Sequence, residues 1–186
     1  MVAAGLTCLA VEGWFLGGDD VVGMRERAAT AEGEGVAALI VREGPGGDPL
    51  VLVGALTSTV SQGLLGVCVG LDGERRHPTV LARDMTSLDL LCNGRSLLCF
   101  APPFWPAHLE AVALCRQMWE AGTAASDGPI YPVPGAVNRP RPAVEHSPRL
   151  ALDLTAGGAV PPGLTEAVDY LLRPGPDPGV CFLERP

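Results

Sequence analysis

Short, continuous apolar runs recur along this chain, and segments of helical character separate them. A strand buried on both faces is continuously apolar, whereas a strand with one solvated face alternates apolar and polar residues. Buried strands joined through helices are typical of a parallel sheet that helices cover. The pattern therefore predicts an α/β protein with about six mostly parallel strands. The predicted strands are 6–11, 36–41, 64–69, 96–101, 150–154 and 180–183.

Helix start and stop signals lie between these runs. Asp48 is suited to cap a helix whose first residue is Pro49, and Pro78 is suited to begin the next helix. Asn93 and Gly94 form a typical C-terminal stop. The predicted helices are 21–34, 48–60, 78–91, 105–120 and 163–172.

The order of the elements predicts a single domain over residues 1–186. Residues 1–121 hold the first four β-α units, and residues 149–186 form a terminal β-α-β unit. Between them, residues 122–148 are rich in proline, which no helix tolerates in its interior, so this segment is predicted to be extended. Repeated β-α units are compatible with a barrel or with an open doubly wound sheet, in which a ligand would lie at the switch point.

Composition excludes several classes of function. All 13 basic residues are arginine, so a catalytic Schiff-base lysine and a phosphate-binding loop lysine are both ruled out. A formal charge of -8 argues against nucleic-acid binding. The apolar runs are too short to span a bilayer, and the start of the chain lacks the basic residues of a secretory signal. We therefore expect a cytoplasmic protein that binds neither nucleic acid nor membrane.

The cysteine and histidine spacing predicts no metal site. The 6 cysteines form no Cys-x-x-Cys pair, and the 3 histidines are far apart in the sequence. We expect free, buried thiols, as in a reducing compartment. The chain also lacks a glycine-rich dinucleotide fingerprint and a Gly-x-Ser-x-Gly nucleophile motif.

The middle of the chain carries a more specific signal. A helix that begins with Asp-Pro is followed by a strand, a His-Pro pair, and a helix with an LA…LD…GR pattern. In order, these motifs are Asp48-Pro49, His77-Pro78, Leu81-Ala82, Leu88-Asp89 and Gly94-Arg95. Together they resemble the bacterial luciferase-like family of flavin- or deazaflavin-dependent oxidoreductases. The resemblance covers residues 36–142 and extends to the later run DGPIYPVPGAVNRPRP.

The resemblance implies a shortened (β/α) TIM-barrel-like fold with its site at the carboxyl ends of the strands. It also implies FMN or a deazaflavin as cofactor and a small organic molecule as substrate. The departures from the family are equally specific. The second strand ends in Val41-Arg42-Glu43, without the two histidines that line the flavin pocket of luciferase, and that enzyme's reactive cysteine falls at Ala101, with Cys99 two residues earlier. The loop after strand four is shortened to PPFWP, and only two strands follow.

Four residues are predicted to bind the cofactor: His77, Trp105, Arg42 and Glu43. Each has a structural alternative. His77 either contacts the cofactor or only starts the helix at Pro78. Trp105 either stacks on the isoalloxazine or forms an apolar plug or an interface. Arg42 and Glu43 form either an anion contact and a carboxylate base or a solvated ion pair.

Other residues are given structural roles or left open. Asp48 is interpreted as a helix cap, Arg95 as structural and Cys99 as inert. Arg139 and Arg141 either bind a phosphate or belong to a tethered surface loop. No catalytic residue is assigned.

Two functions remain open. The first is a luciferase-like oxidoreductase or monooxygenase that uses reduced flavin or deazaflavin on a small organic substrate. The second is a catalytically degenerate module that binds flavin or a partner. Because the chain is too short for eight strands, we expect exposed sheet edges, which a homodimer or a full-length paralogue would cover.

Overall fold

The computed structural model describes residues 6–12, 21–44, 47–71, 76–177 and 180–186. Its strands are β1 (Leu6–Glu12), β2 (Ala38–Arg42), β3 (Leu64–Val69), β4 (Ser96–Phe100), β5 (Thr123–Ser126), β6 (Val133–Val137), β7 (Arg149–Asp153), β8 (Tyr170–Pro174) and β9 (Val180–Glu184). Its helices are α1 (Val21–Gly33), α2 (Pro49–Leu56), α3 (Pro78–Leu91) and α4 (Ala107–Glu120).

Seven of the strands form a closed barrel in the order β1-β2-β3-β4-β7-β8-β9. The pairing is parallel from β1 through β8, which makes six parallel strands, and β9 is antiparallel to both β8 and β1. The predicted α/β fold, a shortened TIM-barrel-like sheet with about six mostly parallel strands, is therefore confirmed. The doubly wound alternative is wrong, because an open sheet has two edge strands, whereas each of these seven strands pairs on both sides.

The closing strand also corrects an expectation from the sequence. Chain length predicted open sheet edges, but β9 pairs with β1 on one side and with β8 on the other. One antiparallel strand thus satisfies the hydrogen-bonding groups of both outer parallel strands. Edge pairing no longer provides a reason for self-association.

Two segments in the second half of the chain differ from the prediction. The sequence predicts a helix over residues 163–172, within which Leu164, Val168 and Leu172 recur at helical spacing. Instead, turns place Leu164 and Val168 against the outside of the barrel, and Leu172 points into its interior from β8. The Pro-rich segment 122–148 was predicted to be extended, and it contains the antiparallel hairpin β5–β6.

Burial on both faces of the strands explains their continuous apolar sequence. In β4, Leu97 and Cys99 pack in the barrel interior, whereas Leu98 and Phe100 pack outside it. All four side chains are fully buried. The outer cluster joins the strands to the helices. The inner cluster combines small Ala and Cys side chains with larger Ile and Leu side chains, which together fill the barrel.

The residues of the LA…LD…GR pattern hold the barrel together. The buried carboxylate of Asp89 accepts hydrogen bonds from Ser96 Oγ (2.6 Å), Ser147 Oγ (2.8 Å) and the backbone N–H of Ala143 (2.8 Å). Arg95 donates to the backbone carbonyls of Gly63 and Val60, in agreement with its predicted structural role. Much of the recognisable sequence pattern therefore encodes packing of the fold.

Candidate site at the carboxyl ends of the strands

The parallel strands end at the same mouth of the barrel. Arg42 is the last residue of β2, Asp153 is the last residue of β7, and Trp105 lies in the loop that follows β4. His77 lies in the loop between β3 and α3. The fold therefore brings three of the predicted cofactor-binding residues, with Glu43 directly after Arg42, to the mouth where (β/α) barrels bind their ligands.

An ion pair crosses the barrel interior at this mouth. Arg42 Nε donates to Asp153 Oδ2 at 2.8 Å, although 111 positions separate the two residues in the sequence. Because β3 and β4 lie between β2 and β7, the pair bridges strands from different sides of the barrel. Arg42 Nη2 also donates to Thr155 Oγ1 at 3.0 Å and lies 3.9 Å from Cys181 Sγ.

Asp153 is held in its ionised form by this cluster. Burial alone would raise the pKa of its carboxyl, but hydrogen bonds from Arg42 and Thr155 hold that pKa below its usual value. Burial likewise opposes the charge on Arg42, yet Asp153 raises the pKa of the guanidinium above its usual value. Both groups are therefore charged near neutral pH, and the alternative of a solvated Arg42–Glu43 pair does not describe Arg42, whose partner is Asp153.

Cysteine side chains line the interior beneath the ion pair. Cys68 Sγ lies 3.7 Å from Asp153 Oδ2, and Cys99 lies beside Cys68 on the neighbouring strand. Burial, reinforced by Cys68, raises the pKa of the Cys99 thiol well above its usual range. Cys99 is thus protonated and a poor nucleophile, which agrees with its interpretation as inert.

Glu43 and His77 are held by the backbone near the mouth. Glu43 Oε2 accepts from the backbone N–H of Gly70 at 3.3 Å, so this carboxylate connects the ends of β2 and β3. His77 Nδ1 accepts from the backbone N–H of Thr79 at 3.3 Å and thereby caps α3. Its ring meets Tyr131 edge-on at 5.4 Å. His77 therefore caps α3. Its side chain is largely exposed, and its ring contacts Tyr131 in the loop between β5 and β6.

Trp105 is the exposed part of an aromatic cluster at the start of α4. Its side chain is 53% exposed. Beneath it, His108 is completely buried, with ring contacts to Phe100 (5.6 Å) and Phe104 (5.5 Å). His108 Nδ1 accepts from the backbone N–H of Trp105 at 3.1 Å. The indole is therefore anchored through its backbone, and its ring remains available to a ligand.

Sequence reasoning missed Asp153, Thr155 and Tyr131. The only available signal for Asp153 was its place at the carboxyl end of a predicted strand, where parallel barrels position functional side chains. Its partner could not be inferred, because nothing local connects residues 42 and 153. Among the described residues, no cluster of three or more His, Cys, Asp or Glu side chains could hold a metal ion, and no helix is long and apolar enough to cross a membrane.

No family model matches the chain, and no curated protein matches it in sequence. Solved structures resemble it in fold. The coenzyme F420-dependent tetrahydromethanopterin reductase from Methanopyrus kandleri has a TM-score of 0.75 at 15% identity, over 91% of this chain and 55% of that one. An F420-dependent secondary alcohol dehydrogenase has a TM-score of 0.67 at 17% identity, over 89% of this chain and 57% of that one.

A third similar structure is that of a flavin enzyme. The oxygenating constituent of 3,6-diketocamphane monooxygenase from Pseudomonas putida, in complex with FMN, has a TM-score of 0.60 at 14% identity, over 81% of this chain and 52% of that one. The chain thus spans about half the length of these proteins. Its fold is a shortened (β/α) barrel. The similarity to these structures confirms the resemblance in sequence at the level of fold.

Proposed function

We propose that this chain is an oxidoreductase, of the monooxygenase type, that uses reduced flavin or deazaflavin on a small organic substrate. The observation that carries this proposal is the preorganised Arg42–Asp153 pair at the carboxyl mouth of the barrel. The proteins of the same fold include enzymes that depend on coenzyme F420 or bind FMN. A charged pair directed to a ligand mouth is typical of a functional site.

The residues at this mouth fit a flavin-like ring in their chemistry. Arg42 offers N–H donors that suit the carbonyl and nitrogen acceptors of the pyrimidine edge, and Trp105 offers an exposed aromatic surface. His77 and Glu43 would contact the ring from the neighbouring loops. The cofactor would supply hydride or oxygen transfer, and these residues would bind and orient it.

Titration of the purified protein with FMN and with a deazaflavin, followed by absorbance and fluorescence, tests this proposal. We expect saturable 1:1 binding of at least one of them, weakened about fivefold by Trp105→Leu, because a lost stacking contact is worth on the order of 1 kcal/mol. Ile130→Ala, which removes another exposed apolar side chain, serves as a control. No binding at high micromolar cofactor would contradict the proposal.

A catalytically degenerate binding module is the second candidate. Arg42 stands where luciferase has its histidines. The observation that favours this module is that two of the three guanidinium nitrogens of Arg42 donate to internal partners. Cofactor binding would support this module if no product formed from small aldehydes and ketones supplied with reduced cofactor and dioxygen, and none from small alcohols supplied with oxidised cofactor.

We also propose a homodimer in the cytoplasm, with a full-length paralogue as the alternative partner. Support for association comes from the groove between α2 and α3, of about 330 Å³, to which Val51 and Leu91 contribute exposed side chains. Exposed apolar surface of this kind is typical of an interface. The cytoplasm is in keeping with the free, buried thiols of Cys68, Cys92, Cys99, Cys115 and Cys181.

A further inference from the structure

We propose that Arg83 and Arg139 form a second ligand site, which binds the phosphate group of a small phosphorylated molecule on the outside of the barrel. The two arginines line one pocket of about 290 Å³ between α3 and the segment that follows β6. Its described lining contains no strand of the barrel and none of the four predicted cofactor-binding residues. The inference is therefore independent of the proposed function.

The charges of Arg83 and Arg139 are not used inside the protein. Most arginines in the described part of the chain donate to a carboxylate, a hydroxyl or a backbone carbonyl, as Arg42 does to Asp153. Within that same part, the guanidinium groups of Arg83 and Arg139 make neither a hydrogen bond nor an ion pair. In a chain with 21 acidic residues and 13 arginines, two such arginines in one pocket indicate positive charge that is available to a ligand.

The backbone at Arg139 is held in place from both sides. Asn138 is buried, and its side-chain amide donates to Thr86 Oγ1 at 2.8 Å and to the backbone carbonyl of Met118 at 3.2 Å. Two residues further on, Arg141 donates to backbone carbonyls at the end of α4. Arg141 is therefore a tether of the loop, whereas Arg139 is exposed between two fixed points.

One face of α3 forms the opposite wall of the pocket. Val80, Arg83, Asp84 and Ser87 recur on it at helical spacing, so their side chains lie on the same side of the helix. Val80 is 49% exposed and, together with Pro140, gives the pocket an apolar border. A ligand with a short carbon chain attached to an anionic group could contact both kinds of surface.

The charge balance of the pocket favours an anion. Among the described lining residues, Asp84 carries the only carboxylate. Its Oδ2 lies 3.9 Å from Arg76 Nη1, so a further arginine partly offsets its negative charge. Two guanidinium groups therefore outweigh one carboxylate, and the field in the pocket attracts a negative ligand. Because the site is open to solvent, salt should weaken this attraction.

The number of arginines distinguishes a phosphate from a carboxylate. The fork of one guanidinium pairs with two oxygens, so a single arginine already occupies both oxygens of a carboxylate. A phosphate monoester has three terminal oxygens and can accept from two arginines at once. The volume of the pocket is close to the lower limit that is usual for small-molecule sites, which suits a small phosphate ester.

Amide NMR spectra of the full chain, titrated separately with glycerol phosphate, inorganic phosphate and acetate at low ionic strength, test this inference. We expect saturable shifts at residues 83–87 and 138–139, with glycerol phosphate bound most tightly and acetate most weakly. Arg83→Gln and Arg139→Gln should each weaken glycerol phosphate binding about tenfold, because each removes hydrogen bonds to a charged group. Arg185→Gln, which removes an exposed arginine outside the pocket, should leave Kd unchanged.

Asp84→Asn gives a change of the opposite sign. It removes the carboxylate that repels the ligand, so we expect tighter binding of glycerol phosphate, which a merely structural role of Asp84 would not produce. Shifts that do not saturate or that map elsewhere, a Kd unchanged in both Arg83→Gln and Arg139→Gln, or acetate bound as tightly as glycerol phosphate would overturn the inference. So would a loss of FMN binding in these two variants, since the pocket would then belong to the cofactor site.

Discussion

Burial of His108 at the start of α4 removes its imidazole from water and makes protonation unfavourable. Desolvation lowers its pKa from the usual value of 6.5, and only the backbone of Trp105 opposes this shift. Within the described structure Nε2 has no hydrogen-bond partner. The ring is therefore a neutral spacer between Phe100 and Phe104, and an unsatisfied buried donor of this kind costs about 1–3 kcal/mol.

This residue predicts how the stability of the fold varies with pH. In the unfolded chain His108 takes up a proton below about pH 6.5, whereas in the folded protein it does so only at lower pH. Stability therefore falls as the pH decreases from about 7 toward 5, because the unfolded state binds more protons. Urea unfolding at several pH values should show this slope, reduced in His108→Phe and retained in His146→Gln, whose side chain is exposed. Equal slopes in all three proteins would contradict the prediction.

At the scale of elements, most of the first half of the chain was predictable. Asp48 and His77 cap helices whose first residue is proline, and both signals are local. Six of the seven barrel strands, all except β8, were predictable because burial on both faces leaves a continuous apolar run. The 163–172 segment was not predictable, since Leu164, Val168 and Leu172 satisfy a helical period and also suit turns followed by a strand. The helix and the turns followed by a strand are distinguished only by the surfaces of the barrel that these side chains cover.

The segment 139–148 depends on one carboxylate of α3. Asp89 accepts hydrogen bonds from Ala143 and Ser147, and from Ser96 at the start of β4. Asp89→Asn replaces one acceptor oxygen with a donor, so at least one of these bonds is lost. We expect a loss of about 2 kcal/mol in the free energy of unfolding, or roughly 4–8 °C in Tm.

Hydrogen exchange of Asp89→Asn should also show faster exchange in 141–148, while β2 and β3 remain protected. Asp84→Asn is the matched control, because Asp84 lies on the same helix but is partly exposed. Its Oδ2 lies 3.9 Å from Arg76 Nη1, which is a long ion-pair contact. A Tm equal to that of the wild type, with unchanged exchange in 141–148, would show that Asp89 does not hold this segment.

At the scale of the whole molecule, β9 closes the barrel and leaves no strand edge for self-association. A second copy would therefore bind to helix faces. Val51 on α2 and Leu91 on α3 line the same groove and are 72% and 66% exposed. Burying such side chains against a second copy is favourable by about 25 cal/mol per Å² of apolar surface.

We therefore expect the protein to be a dimer in sedimentation or light scattering at micromolar concentration. Val51→Glu or Leu91→Glu should yield a monomer of 19.3 kDa, because a charge would be buried in the interface. Val137→Glu, on the hairpin and also exposed, should leave the dimer intact. If the wild-type protein is a monomer, the homodimer proposal is wrong. The longer paralogue would then be tested as the partner by mixing the two proteins.

The sequence by itself determined the class of fold and the mouth where a ligand would lie. Apolar runs and caps are local signals, and in parallel barrels the ends of the strands determine where the site is. It also placed Arg42, His77 and Trp105 at that mouth. The tertiary structure alone decided that β9 closes the barrel and that Arg42 pairs with Asp153, because strand pairing and charge pairing join residues over long separations in the chain. Such contacts form only when the whole sheet is assembled, so no local pattern can encode them.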